Sequence, residues 1–212
     1  MLNILRLSPV QFGPPRTTET RNNWSIALSY DDEGNGPFLV DLCHKTRWDL
    51  QDPGLDGLNP LGLQIPVAPG SCSLKNGTLI NRMNRTQAAI WHLDAETPDL
   101  PPDPGYTEVT ESTVFLALFG PRIFSIAEKL TSLDFLDPVK AAPFLLQGPF
   151  SHVPCQIVTL EKNADGSGGL LLTCSRGYGH SMVHAIRDAG SEFGLRPAGE
   201  SRFSAWLKGL AG

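Results

Sequence analysis

Twenty-one glycines and 18 prolines take 39 of the 212 positions, and this density of chain-turning residues limits the folds open to the sequence more than any other feature. Glycine adopts left-handed backbone freely, and proline removes a hydrogen-bond donor, so long uninterrupted helices are excluded. Short strands and brief helices joined by ordered loops are expected. With 41% hydrophobic residues, a chain of this length buries roughly 70% of its unfolded surface, enough for a core without disulfides.

Charged residues are only 18% of the sequence, with 17 Lys plus Arg against 22 Asp plus Glu and a formal net charge of −5. The usual charged share is about 25%. A net negative chain lacks the basic footprint of a nucleic-acid or anionic-membrane binder, so neither partner is expected. Low charge suits a surface covered inside a larger assembly. No run approaches the ~18 apolar residues of a membrane span, and residues 1–16 carry no secretory pattern, so a cytoplasmic location is expected. Cys43, Cys72, Cys155 and Cys174 lack the close spacing of a zinc knuckle or a redox dithiol and read as buried thiols. On that expectation the sequons at Asn23, Asn76 and Asn84 are chance matches.

The clearest boundary is DAETPDLPPDPG at 94–105, read as an acidic, extended connector. From Thr86 to Pro121 there is no Lys or Arg, which predicts an acidic rim, either a solvated loop or a docking edge. Before it, 1–93 reads as β-rich, with strands at 24–30, 38–43, 78–83 and 87–93, an irregular stretch at 51–75, and a hairpin signal at Asn76-Gly77. After it, 106–199 reads as strand, helix, strands and helix. Ile123, Ile126, Ala127 and Leu130 form a stripe behind Pro121. Strands follow near 144–147, 155–162 and 169–174, and then a helix runs from Tyr178 to Phe193, capped by Gly194. Residues 200–212 are read as a tail. The expectation is one compact α+β domain of mostly antiparallel sheet, with a ferredoxin-like βαββα half packed by two helices.

Phosphate-loop, dinucleotide, hydrolase-elbow and zinc-protease motifs are all absent. In DLCHKTRWDL at 41–50, Asp41, His44, Arg47 and Asp49 either converge in a cleft or form salt bridges at a strand end. Arg176, just before the final helix, is a candidate anion holder beside free backbone N–H groups, or else a solvent-facing arginine. His180 and His184 have the i, i+4 spacing of metal ligands without a third ligand, and no metal site is assigned. Ser71-Cys72-Ser73 has no histidine close by in the sequence and reads as loop.

VFLALFGPRIFSIAEKLTSLDF, QGPFSHVPCQIV and GGLLLTCSRGYGHSMVHAIRDAGSEFGLRPAG, spanning roughly 106–199 with support from LVDLCHKTRWDL, resemble the gamma subunit family of heterotetrameric sarcosine oxidase. The wider group is the aminomethyltransferase (glycine cleavage T-protein) folate-binding domain superfamily. The resemblance implies an aminomethyltransferase-like fold and a non-catalytic small subunit supporting oxidative demethylation of an N-methyl amine. It further implies larger alpha- and beta-type partner subunits in a complex carrying FAD, FMN, NAD and tetrahydrofolate, with no cofactor assigned to this chain alone. The family's pterin-holding Arg-x-Gly-Tyr-Thr-Gly-Glu segment is missing where this chain reads VTLEKNADGSGG, so that role is not transferred to Glu161. The iron–sulfur branch's Lys-Gly-Cys motif surrounds neither Cys155 nor Cys174. No catalytic residue is assigned on the subunit reading. The alternatives are a stand-alone tetrahydrofolate-dependent demethylase or aminomethyltransferase, for which Asp41 is the candidate acid, and a protein-interaction module.

Overall fold

The computed structural model describes residues 5–96, 98, 99 and 105–210. Half of the expected connector, the first four residues and the last two lie outside these. In chain order the strands before the connector are β1 (Thr17–Arg21), β2 (Trp24–Ser29), β3 (Phe38–Asp41), β4 (Arg47–Gln51), β5 (Cys72–Lys75), β6 (Thr78–Arg82) and β7 (Gln87–His92). Then come β8 (Tyr106–Glu108), β9 (Thr113–Gly120), α1 (Ile123–Glu128), β10 (Phe144–Phe150), β11 (Val153–Lys162), β12 (Gly168–Ser175), α2 (Gly179–Gly190), β13 (Arg196–Ala198) and α3 (Glu200–Leu210).

Two sheets form the body. The larger runs β10-β11-β12-β9-β3-β13 and the smaller β5-β6-β7-β4-β8, while β1 and β2 make a separate ribbon. All pairings are antiparallel except β13 with β3. The 106–199 half supplies a three-strand meander with β9 beside β12. It therefore shares with ferredoxin-like units the layering of two helices on a sheet, but not their interleaved strand order. Because β3 pairs with β9, the larger sheet draws on both sides of the connector.

Burial explains the sequence pattern of β9, TVFLALFG. Leu116 and Leu118 face Ile123 and Ile126 of α1 and Met182, Val183 and Ile186 of α2. Phe115, Ala117 and Phe119 face the smaller sheet's Leu79 and Trp91 and α3's Phe203. A strand covered on both faces reads as a continuous apolar run rather than an alternation. The outer face of the smaller sheet, with Trp48, Leu50, Ile80 and Ile90, is closed by Leu55, Leu63 and Ile65. The stretch expected to be irregular thus folds back as a lid, although its last residues form β5.

Several local expectations meet the structure directly. Asn76 and Gly77 both take left-handed angles (φ 50° and 65°), the primed turn that joins β5 to β6. α2 has the expected buried stripe and ends through a short 3-10 turn at Gly194, φ 71°. The first helix is shorter than its stripe suggests. It begins two residues after Pro121, on a left-handed Arg122 (φ 59°), and covers only six residues. The segment expected as a tail carries α3, with Glu200 and Phe203 buried.

Candidate functional site

The five-residue step from β3 to β4 carries the chain from the larger sheet to the smaller one. On the way, His44 and Lys45 pass beneath the start of α3. Gly199 lets the start of α3 come against β2: a Cβ there would stand 2.1 Å from the Leu28 carbonyl oxygen. Glu200, at the first turn of α3, is 3% exposed. A carboxylate at this end of a helix is favoured by the unpaired N–H groups there.

Three basic side chains converge on it. Arg21, at the end of β1, places Nη1 3.2 Å from Oε1 and bonds Oε2 through Nη2. Lys45 Nζ pairs with Oε1 and also donates to the Asp94 carbonyl at 2.9 Å. His44 Nε2 stands 3.2 Å from Oε1. Burial opposes ionisation of Glu200, but its contacts with His44 and Arg21 and the charge of Lys45 outweigh burial and hold the carboxyl well below the usual range. Burial also pushes His44 and Lys45 down, against the pull of Glu200. His44 therefore faces the carboxylate as a neutral ring near pH 7, and the charge balance falls to Arg21 and Lys45.

Its basic members Arg21, His44 and Lys45 form one wall of a cavity of about 630 Å³, which Trp24, Trp48, His92 and Glu108 also line. Arg6 at its edge pairs with Glu111 and lies over the Trp24 ring at 5.5 Å. Arg21 also pairs with Glu19 at 3.1 Å, so the two cations meet two carboxylates, opposite a rim that includes Asp94, Glu96 and Glu108. The wall's described residues include no serine or cysteine, and among the described residues no group of three potential metal ligands occurs. The arrangement suits holding a charged or polar group and fixing α3 to β1.

The segment 41–50 does not converge as one cleft, because the change of sheet scatters it. Asp41 ends β3 and accepts a hydrogen bond from the Cys43 N–H at 2.9 Å, closing the turn away from the cavity wall. Arg47 is fully buried between the sheets, donating to the carbonyls of Lys45 (2.6 Å) and Thr110 (2.8 Å) and lying 4.7 Å from the Phe115 ring centre. Burial lowers it to about 10. Asp49 receives the amides of Gln51 and Gln87 at 2.6 and 2.8 Å. Of the four, only His44 reaches the cavity.

Arg176 donates to the carbonyls of Leu7 (2.5 Å) and Glu111 (3.4 Å), so it ties the N-terminal segment to the body. His180 and His184 are exposed on α2 and line a separate cavity of about 440 Å³ with Arg187 and Asp188. Glu161 lies on β11 opposite Gly169. Sequence reasoning missed Glu200, Arg21 and Lys45. One signal was available: Phe203, Trp206, Leu207 and Leu210 recur at i, i+3, i+4 and i+7 behind a glycine and a glutamate, the pattern of a helix start.

No family model and no curated protein sequence matches the chain. Solved structures do match. Heterotetrameric sarcosine oxidase from Corynebacterium sp. U-96, in complex with pyrrole 2-carboxylate, superposes with a TM-score of 0.61 at 17% identity, over 73% of this chain and 84% of that one. The glycine cleavage system aminomethyltransferase T from Bartonella henselae gives a TM-score of 0.54 at 12% identity, over 88% of this chain and 56% of that one. The fold is thus aminomethyltransferase-like, a mixed α+β arrangement with antiparallel sheets and few helices. No described helix is long and apolar enough to cross a membrane.

Proposed function

We propose that this chain is the small, gamma-like subunit of a heteromeric flavin- and folate-dependent N-methyl amine oxidase or dehydrogenase of the sarcosine type, without catalytic residues of its own. The observation that carries this reading is the match in extent: the fold accounts for 84% of a chain from a heterotetrameric oxidase but only 56% of the aminomethyltransferase. The cavity wall agrees with it, since Glu200 engages Arg21 and Lys45, and Asp41 is held in a turn. In this reading the larger alpha- and beta-type subunits carry FAD, FMN, NAD and tetrahydrofolate, and this chain completes their surface.

A second reading, a stand-alone tetrahydrofolate-dependent demethylase or aminomethyltransferase, draws support from the cavity itself. Its volume lies within the usual span of small-molecule sites, about 300–1,000 Å³, and among the described residues the buried indole N–H of Trp48 on its wall has no hydrogen-bond partner. Titration of the isolated chain with tetrahydrofolate, together with Asp41→Asn, separates the two. The subunit reading predicts no saturable folate binding by the lone chain and unchanged turnover of the assembled oxidase containing Asp41→Asn. Stoichiometric binding, with turnover lost in the variant, would favour the stand-alone enzyme.

A further inference from the structure

Two of the four cysteines, 19 positions apart in sequence, meet in the larger sheet. β11 and β12 pair with Gln156 opposite Thr173, and continuing that register by one residue sets Cys155 directly across from Cys174. Both side chains lie on the helix-covered face. Directly opposed antiparallel residues have Cα atoms about 4.5–5.5 Å apart, inside the ~4.4–6.8 Å that a disulfide spans. Each is 5% exposed, and both border a cavity of about 440 Å³ whose other lining residues include Ser112, Gln147, Gln156 and Ser175. A small polar oxidant can therefore reach sulfurs that bulky reagents cannot. Cys43 lies in the same core cluster but is engaged with Phe115, whose N–H it accepts at 3.2 Å, and Cys72 lies against the other core.

We propose that Cys155 and Cys174 form a peroxide-responsive thiol pair that closes reversibly into an intramolecular disulfide. The Cys174 sulfur is the attacking atom. The Cys155 thiol donates to the Val153 carbonyl at 3.2 Å; the interaction with its neighbour lowers the Cys174 thiol, while the same interaction and burial push Cys155 up. The Cys174 thiolate attacks one oxygen of hydrogen peroxide. The S–O bond forms as the O–O bond breaks, and the departing hydroxide takes a proton and leaves as water. The Cys155 sulfur then displaces the hydroxyl of the resulting sulfenic acid: the S–S bond forms, the S–O bond breaks, and the Cys155 proton leaves in a second water. One peroxide is reduced to two waters and two thiols are oxidised to one disulfide. This proposal does not depend on the subunit reading.

The test uses the full chain, reduced and then treated with hydrogen peroxide, quenched, alkylated under denaturing conditions and mapped by peptide mass. The expected result is loss of two of the four thiols, a peptide pair linked through Cys155 and Cys174, Cys43 and Cys72 still alkylated, and full recovery with dithiothreitol. Failure to form the linked pair, or direct passage of either sulfur to irreversible sulfinic acid, overturns the proposal. Cys155→Ser provides a second arm, in which the Cys174 sulfenic acid persists and is trapped by dimedone. Should that variant fail to fold, the wild-type mapping alone decides.

Discussion

Glu200 is where charge, burial and connectivity coincide: one carboxylate serves Arg21 from β1, His44 and Lys45 from the step between the sheets, and the start of α3. Removing one partner of such a buried cluster leaves the others uncompensated, which typically costs about 3–5 kcal/mol. Glu200→Gln is therefore expected to lower unfolding free energy by about that amount, read from denaturant midpoints at unchanged slope. The pH dependence has a definite sign. Both Glu200 and His44 titrate lower in the folded chain than their ordinary values of 4.5 and 6.5. The unfolded chain then binds more protons in acid, so stability is fully present above pH 6.5 and is lost as pH falls. Unfolding midpoints measured from pH 7 downward should drop first through the histidine range and then below pH 4.5. Glu200→Gln should flatten the second part and, by removing the pull that raises His44, deepen the first.

At the scale of elements, the legible parts were those whose signal is local. Asn76-Gly77 specifies a primed turn by its own chemistry, whereas Asn22-Asn23 and Ser151-His152 adopt the same left-handed pair with residues less specific to it, and β1, the partner of the strand read at 24–30, went unread. β4 was hidden because its Arg47 is satisfied by carbonyls of the step at 42–45 and by Thr110 and Thr113, far away in sequence. α3 carries a readable stripe, yet its role depends on partners far away in sequence: Phe203 lies within the inter-sheet core, and Trp206 stacks on Phe119 at 4.7 Å. Likewise, the segment 41–50 drew attention to His44 but gave no hint of Glu200 more than a hundred positions on. Phe203→Ala should cost about 3–5 kcal/mol by equilibrium unfolding. Gly199→Ala, whose Cβ meets a β2 carbonyl, should cost about 1–3 kcal/mol as an overpacking change and weaken the Glu200 cluster with it.

For the whole molecule, the two sheets pack on one shared core between them and β3 joins the strands of the second half, so the chain is expected to unfold in a single transition, coincident by tryptophan fluorescence and far-ultraviolet dichroism. Its surface is sparing in charge and leaves Leu7, Val67 and Val139 exposed, as suits a chain that is covered by others. An obligate interface of that kind buries more than about 2,000 Å². The most direct test is affinity capture of the chain from its native host, with mass spectrometry of the chains that accompany it and an absorbance scan of the eluate. Recovery with near-stoichiometric larger subunits and a flavin spectrum is the predicted result. A colourless monomer without partner chains would contradict the small-subunit reading.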